Sequence, residues 1–154
     1  MSGFIANGAT STAHPITQGG FWPDLDGTHL RAAMRLTSAV TDARLEVATI
    51  NAIIEANREL ATYRAAREAE GHSTLAAVPA EQLKDESVLV HLYRRVIYCN
   101  TAAELIERYQ GFDATNSGEQ RATEEESSPD QLRRDARKAL RTILGISHAT
   151  VESL

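Results

Sequence analysis

The chain has 154 residues, a formal net charge of −5, 42% hydrophobic residues and only 5% aromatic residues. This length fits one domain with a modest core, and the negative charge argues against a general affinity for nucleic acid. The single cysteine excludes an internal disulfide. We expect neither a membrane span nor a signal peptide, because no apolar run is long enough and the first residues lack the charged and apolar stretches of a leader.

The first 23 residues contain no Asp, Glu, Lys or Arg and include four glycines. Such a segment cannot bury enough apolar surface to fold alone, so residues 1–23 are predicted to form an extended arm that is flexible or ordered by a partner. The arm ends at Phe21 and Trp22. Two interpretations of this aromatic pair stay open: it covers one end of the core, or it anchors an interface between subunits.

Four helices are predicted after the arm. A short one spans about residues 28–36, and three longer segments each end at a glycine, the residue that best tolerates the left-handed conformation of a helix C-cap. These segments are Thr41–Glu70, Asp85–Gln110 and Ser128–Leu144, followed by Gly71, Gly111 and Gly145. Ser128, Pro129 and Gln131 give the last helix an N-cap, a first-turn proline and the third-position residue of a capping box.

The long helices carry apolar residues at three- and four-residue steps, which predicts one buried face on each. In the second helix the predicted inner face consists of Ala43, Val47, Ile50, Ile54, Asn57 and Ala61. The polar second half of this helix, up to Glu70, is predicted to project past the core. With these faces packed, no long apolar seam is left over, so we expect the isolated protein to be monomeric or weakly associated.

The predicted fold is therefore all-α: a helical bundle at residues 24–145 with extended arms at both ends. An irregular acidic loop, residues 112–127, interrupts the bundle. The C-terminal tail, residues 146–154, is a poor helix former and a passable strand, since it mixes β-branched and small residues. Either it adds a strand to the sheet edge of a partner, or it is a frayed terminus.

No enzyme is indicated. The five histidines are scattered without metal-ligand spacing, and neither a phosphate-binding loop nor a nucleophile motif is present. Cys99 is more often a small core residue than a nucleophile in such a helix. We expect no catalytic residue, no metal and no cofactor.

Arginine dominates the basic residues. Only Lys84 and Lys138 are lysines among 16 basic residues, which fits bidentate contacts at interfaces or simply a GC-rich gene. The densest basic group lies in the last helix and consists of Arg133, Arg134, Arg137, Lys138 and Arg141. The more common explanation is a solvent-exposed face whose positive charge balances that of the acidic loop before it, and duplex DNA binding is the alternative.

Several short segments resemble the phage head completion protein family, also called the GPL or L-protein family. They are FWPDLD at 21–26, MRL at 34–36, DARL at 42–45, NRELATYR at 57–64, LAAVPA at 75–80, DES at 85–87 and LIERYQGFDA at 105–114. The last of these is close to the LYERYRGVDA-like signature of the family. The resemblance covers residues 21–154 in order and with similar spacing, while residues 1–20 carry little of it.

The resemblance implies a virion protein at the head–tail neck of a contractile-tailed phage, made in the host cytoplasm. It implies a fold similar to head–tail adaptors and a role after DNA packaging, when such proteins bind the portal vertex, help to retain the genome and prepare the head for tail joining. The expected partners are the portal protein, neighbouring copies in a dodecameric ring and a downstream neck or tail-completion protein. Packaged DNA would pass through the lumen without sequence-specific binding, and no membrane is involved.

Two groups of residues are assigned to these contacts. Ile146, Val151 and Leu154 in the tail are expected to bind the portal, as adaptors of this type dock through their C-terminal ends. The expected contacts between neighbouring subunits are Phe21, Trp22, Arg64, Arg67, Arg133 and Arg137.

Overall fold

The computed structural model describes residues 14–109 and 128–146, and within them it contains five α-helices and four two-residue strands. The helices are α1 (Gly27–Ala33), α2 (Asp42–Glu59), α3 (Ala61–Ala69), α4 (Val88–Tyr109) and α5 (Pro129–Ile143). The strands form two antiparallel pairs, β1 (Pro15–Ile16) with β2 (Leu25–Asp26) and β3 (Gln82–Leu83) with β4 (Glu86–Ser87). The prediction of a mainly helical protein is confirmed, whereas a strictly all-α fold is wrong because of these two ladders.

Helix α4 is the centre of the bundle, and both α2 and α5 pack against it. Asn57, near the end of α2, bonds to Tyr93, near the start of α4. Arg133, near the start of α5, pairs with Glu107, near the end of α4. These contacts place both neighbours antiparallel to α4.

Small side chains form much of the contact between these helices. The buried face of α2 carries Ala48, Ala52 and Ala56, all at most 2% exposed. On the other side, a cluster built mainly from small residues joins α4 to α5: Cys99, Ala102, Ala103 and Ala136, together with Leu132. Small side chains let neighbouring helices approach closely, which explains how three helices of modest length bury a continuous core.

Residues 14–23 are packed against the bundle, which corrects the predicted boundary of the N-terminal arm. Ile16, in β1, is 7% exposed, and the His14 carbonyl accepts a hydrogen bond of 2.8 Å from the Gly27 backbone N–H. The Phe21 carbonyl accepts another of 2.8 Å from the Leu75 N–H. The charge-free composition hid these contacts, because they are made by the backbone and by a few apolar side chains. Only residues 1–13 of the predicted arm lie outside the described residues.

The predicted helix 41–70 is divided into α2 and α3 at Leu60. The Leu60 side chain is completely buried, and its backbone angles, φ −92° and ψ 7°, leave the helical region. None of the residues of α3 is buried. The predicted polar extension is therefore not a continuation of α2, since the chain turns at Leu60 and brings Tyr63 against the core.

The predicted start of the long third helix at Asp85 is wrong by three residues. β3 and β4 form a hairpin whose two loop residues, Lys84 and Asp85, have φ values of 50° and 60°, and α4 begins at Val88. A two-residue loop with both φ angles positive usually contains Asn-Gly, so Lys-Asp gave no hairpin signal. Arg94 on α4 holds both carboxylate oxygens of Glu86 at 2.8 Å, which fixes β4 to the helix and lowers the pKa of Glu86.

The predicted C-cap glycines at described positions and the N-cap at Ser128 are confirmed, whereas the Gln131 side chain bonds to Asp135 at 3.2 Å and not back to Ser128 as a capping box requires. Gly71 and Gly145 have φ values of 96° and 68°. After each of them the backbone bonds to the preceding turn as a Schellman motif requires, with N–H groups of Gly145 and Ile146 donating to Thr142 and Arg141 carbonyls. The Ser128 hydroxyl accepts from the Gln131 N–H at 3.2 Å. Gly111 lies outside the described residues.

Two N-terminal truncations are expected to differ strongly in stability. Removal of residues 1–13 should leave the melting temperature within a few degrees, because this charge-free sequence with two glycines offers little apolar surface to bury. Removal of residues 1–20 deletes Ile16 and β1, and should lower the free energy of unfolding by about 2–4 kcal/mol, the usual cost of losing one large core side chain. Urea unfolding followed by circular dichroism measures both. Equal stability of the two truncations would place residues 14–20 outside the core.

Candidate interaction surfaces

Phe21 and Trp22 are core residues, so their assignment to contacts between subunits is corrected. They are 1% and 5% exposed. The Trp22 ring stacks on Tyr93 with centroids 4.8 Å apart and planes 8° apart, and it meets Phe21 edge-on at 4.9 Å. Of the two interpretations left open by the sequence, the pair covers one end of the core, because α4 supplies a buried tyrosine as its stacking partner.

The Tyr93 hydroxyl joins the N-terminal segment to two helices. It lies 2.8 Å from Gln18 Oε1 and 2.7 Å from Asn57 Oδ1, and the Asn57 amide donates to Gln18 Oε1 at 3.2 Å. Burial raises the pKa of Tyr93 far above its usual value, so the hydroxyl stays protonated and can donate. Asn57 therefore has a structural role as a half-buried hydrogen-bonding residue at the end of α2.

Arg64 and Arg67 on α3 are engaged within the chain. Arg64 pairs with Glu68 at 2.9 Å and lies over the Phe21 ring, 6.0 Å from its centroid. Arg67 pairs with Glu70 at 2.8 Å and lies 5.3 Å from the centroid of Tyr63. Both guanidinium groups still reach solvent, but their described contacts stabilise the α3 end of the bundle.

Arg133 also has a partner within the chain. Its guanidinium holds the Glu107 carboxylate through Nε at 3.1 Å and Nη2 at 2.5 Å, and this hydrogen-bonded fork lowers the pKa of Glu107 and raises that of Arg133. The pair joins the start of α5 to the end of α4. Arg133 is thus a link between helices, and Arg137 is the member of the predicted set that faces outward with no ion-pair partner among the described residues.

The outer face of α5 is a cationic stripe. Its exposed members lie within three or four residues of one another along one side of the helix and are Arg134, Arg137, Lys138 and Arg141. The buried residues of α5 occupy the opposite side and are Leu132, Ala136, Ala139, Leu140 and Ile143. This is the strongest separation of polar and apolar faces in the bundle, and it leaves four positive side chains directed away from α4.

The outer face of α2 is apolar, and this is the opposite of the sequence prediction. Val47, Ile50 and Ile54 are 57%, 40% and 59% exposed, and Ala43 is exposed as well. We refer to these four residues as the α2 stripe. One end of it opens into a cavity of about 250 Å³ between α2 and the end of α4, lined in part by Glu104 and Leu105. An apolar surface is therefore exposed on α2. The expectation that the packed bundle leaves no apolar seam, on which the prediction of a monomeric protein was based, is wrong.

The face of α2 was misassigned because the helix carries two competing apolar patterns. The larger side chains recur in the α2 stripe, whereas the true inner face is built from Leu45, Ala48, Thr49, Ala52 and Ala56. Hydrophobicity alone favours the bulky set. The signal that identifies the inner face is the row of alanines four residues apart, because alanines let α2 lie close to larger core residues of α4 such as Tyr93 and Ile97.

The expected portal-binding tail is described only at its first residue. Ile146 follows the cap of α5 and is 48% exposed. Val151 and Leu154 lie outside the described residues, as does the predicted acidic loop 112–127. The assignment of these three residues to the portal stays a prediction.

Within the described ranges, no three His, Cys, Asp or Glu side chains lie close enough to hold a metal ion. In the same part of the chain, none of the helices is both long and apolar enough to cross a membrane. Cys99 is 5% exposed in the contact between α4 and α5, which confirms it as a core residue.

Substitution of Trp22 should identify it as a core residue. Trp22→Ala removes the stack on Tyr93 and is expected to lower the free energy of unfolding by about 3–5 kcal/mol. Arg137→Ala is the matched control on an exposed face and should change it by no more than about 0.5 kcal/mol. Both values come from urea titrations. A Trp22→Ala protein as stable as the parent would restore the interface assignment.

The Cys99 thiol should be almost unreactive in the folded protein. Its burial raises its pKa, which lowers the fraction of the nucleophilic thiolate at neutral pH. Reaction with a thiol reagent such as DTNB should be at least tenfold slower in buffer than in denaturant. Rapid modification of the folded protein would contradict the described packing of α4 on α5.

Comparison with known proteins identifies the family. The sequence matches the family described as phage head completion protein (GPL) over residues 16–154. The head completion/stabilization protein of Escherichia phage P2 is 38% identical over 134 residues, which cover 87% of this chain and 79% of that relative. No solved structure matches the chain. These matches confirm the resemblance found in the short motifs, and they indicate a structural component of the virion and not an enzyme. The chain belongs to the phage head completion protein (GPL) family.

Proposed function

We propose that this head completion protein binds the portal vertex of a DNA-filled head and forms a ring there. From this position it helps to retain the genome and presents a surface to a downstream neck or tail-completion protein. The observation that carries the proposal is the family match from residue 16 to residue 154, which includes every helix of the bundle and the tail beyond it. Structural head completion is the activity of the family, and the portal ring is our account of how it is carried out.

The described surfaces suit an adaptor. A ring of identical subunits has heterologous contacts, in which two different faces of each copy meet. The bundle offers an apolar face on α2 and a cationic face on α5, and both are built on helices that are held rigidly by α4. Rigid helix faces keep the angle between neighbours constant, which a closed ring requires.

Binding to the portal is assigned to the tail. Strand addition would give it main-chain hydrogen bonds to a partner sheet, with alternate side chains placed in pockets. Ile146 supplies the first of these side chains at the surface of the bundle, and Val151 and Leu154 would supply the others. The downstream partner would meet the surfaces that remain free on the ring.

Electron microscopy of the purified protein mixed with its portal tests the proposal. Extra ring-shaped density on the portal, with the rotational symmetry of the portal, is the expected result. Heads produced without the protein should package DNA but lose it during purification, and they should regain stability when the protein is added. Absence of both effects would refute the proposed role.

Duplex DNA binding is the second candidate, and the cationic stripe on α5 favours it. Four exposed basic residues would contact phosphates and release counterions, so affinity should fall steeply as salt rises. Tight binding of the isolated protein to duplex DNA, lost on Arg137→Glu, would favour this function. We rank it second because the whole chain carries a net charge of −5.

Truncation of the tail should separate folding from portal binding. A chain ending at Ile146 keeps the backbone N–H that caps α5, so its melting temperature should stay within a few degrees of the parent. The same truncation should abolish co-sedimentation with the portal, because Val151 and Leu154 are removed. Ile146→Ser in the full chain should weaken portal binding less severely. If the truncated chain retains full affinity, the tail is not the portal contact.

A further inference from the structure

We propose that the α2 stripe of one copy packs against the cationic stripe on α5 of the next copy. The partner is thus a second copy of this chain, and the inference rests on the ring proposed above. It names the two surfaces that meet when neighbouring subunits assemble, and it replaces most of the interface residues expected from the sequence.

The first argument is position. Helix α2 contacts α4 at Tyr93 and Glu104, whereas α5 contacts it at Cys99, Ala102 and Ala103. At 100° per residue these two sets lie about 135° apart around α4. The outward faces of α2 and α5 are therefore on different, well-separated flanks of the molecule. Two different faces on separate flanks are what a head-to-tail contact between identical subunits needs.

The second argument is charge. α5 contains five basic and two acidic residues, a net +3. α2 contains four acidic and two basic residues, a net −2. Outside α5, the described part of the chain carries 13 acidic and 10 basic residues, a net −3, so α2 supplies most of the negative charge there. Opposite charge favours the α2–α5 pairing over α5–α5 and α2–α2 pairings.

The third argument is the match of side chains. The α2 stripe between Val47 and Ile54 and the α5 stripe between Arg134 and Arg141 each extend over seven residue steps, about 10 Å along a helix. Arginine and lysine have long apolar stems below their charged groups. Stems from α5 would cover Ile50 and its neighbours, while their charged ends reach carboxylates on either side, such as Glu46 and Glu55.

The size of the contact agrees with assembly on the portal. The four exposed side chains of the α2 stripe cover far less than the ~800 Å² per partner that a stable interface buries. We therefore expect subunits to associate weakly in solution and to join when portal binding raises their local concentration. The free protein is therefore still expected to be monomeric or weakly associated, but because the contact between subunits is small and not because no apolar surface is exposed.

Cysteine cross-linking on the portal tests the pairing. All variants are full-length and carry Cys99→Ala, so that they contain no native cysteine. The single variants add either Ile54→Cys or one α5 cysteine, which is Arg134→Cys, Arg137→Cys or Arg141→Cys. The double variants combine Ile54→Cys with one of these α5 cysteines. Mild oxidation of portal-bound protein should give a ladder of covalent oligomers for at least one double variant. Each single variant should stay monomeric on a non-reducing gel. Leu83→Cys, on the exposed hairpin, replaces Ile54→Cys in the control double variants and should give no ladder.

The outcomes separate the inference from the proposed function. Ring density on the portal together with cross-linking of Ile54→Cys to itself would assign α2–α2 contacts and overturn the pairing. Ring density with no ladder from any of the three double variants would overturn it as well. Absence of portal binding by the parent protein would refute the proposed function, and the inference would fail with it.

Variants that block one stripe at a time give a second, independent test of the pairing. Ile50→Glu with Ile54→Glu blocks the α2 stripe, and Arg137→Glu with Arg141→Glu blocks the α5 stripe. Each variant alone should lose ring density on the portal, while circular dichroism should show unchanged folding because all four side chains are exposed. Loss of DNA binding by the α5 variant with its ring intact would assign this stripe to DNA and overturn the inference.

Discussion

The close approach of α2 and α5 to α4 is the constraint on which the rest of this structure depends. Both contacts are made through small residues, with Ala52 and Ala56 on one side and Ala102 and Ala136 on the other. Such faces bury little apolar area per residue, so the bundle needs large side chains from elsewhere to complete its core. Phe21 and Trp22 supply them by packing on Tyr93 of α4, and the N-terminal segment is part of the fold for this reason.

Use of alanines inside leaves bulky apolar residues outside. A helix that met α4 through Ile50 and Ile54 would lie farther from it and would lose the hydrogen bonds of Asn51 and Asn57. The inner alanine face and the exposed α2 stripe are therefore two results of one packing choice. In a protein that works alone such a stripe lowers solubility, whereas in a subunit of an assembly it is a surface on which a neighbour can pack.

The sequence was sufficient for elements whose signals are local. Ser128 with Pro129, and the glycines at 71 and 145, determine helix ends through neighbouring backbone groups, and these ends were predicted correctly. It was insufficient where long-range contacts decide. The Lys84–Asp85 turn is accompanied by the pair in which Arg94 holds Glu86, and the break at Leu60 accompanies burial of its side chain in the core. The family was recognisable because its short motifs occur in order along the chain. Which face of α2 is buried could not be predicted, because that depends on how closely its alanines pack against α4.

The charges in this bundle are divided between internal links and outward surfaces. Arg94, Arg95 and Arg133 each hold a carboxylate within the chain and tie the ends of α4 to β4 and α5. Exposed pairs of this kind contribute little to stability individually, but they fix which residues remain free to meet a partner. Because Glu107 occupies Arg133, the outward charge of α5 is confined to one stripe, on the flank away from α4. A narrow charged stripe selects the orientation of its partner more strictly than a diffuse basic surface does, and orientation is what identical subunits must repeat if they are to close into a ring.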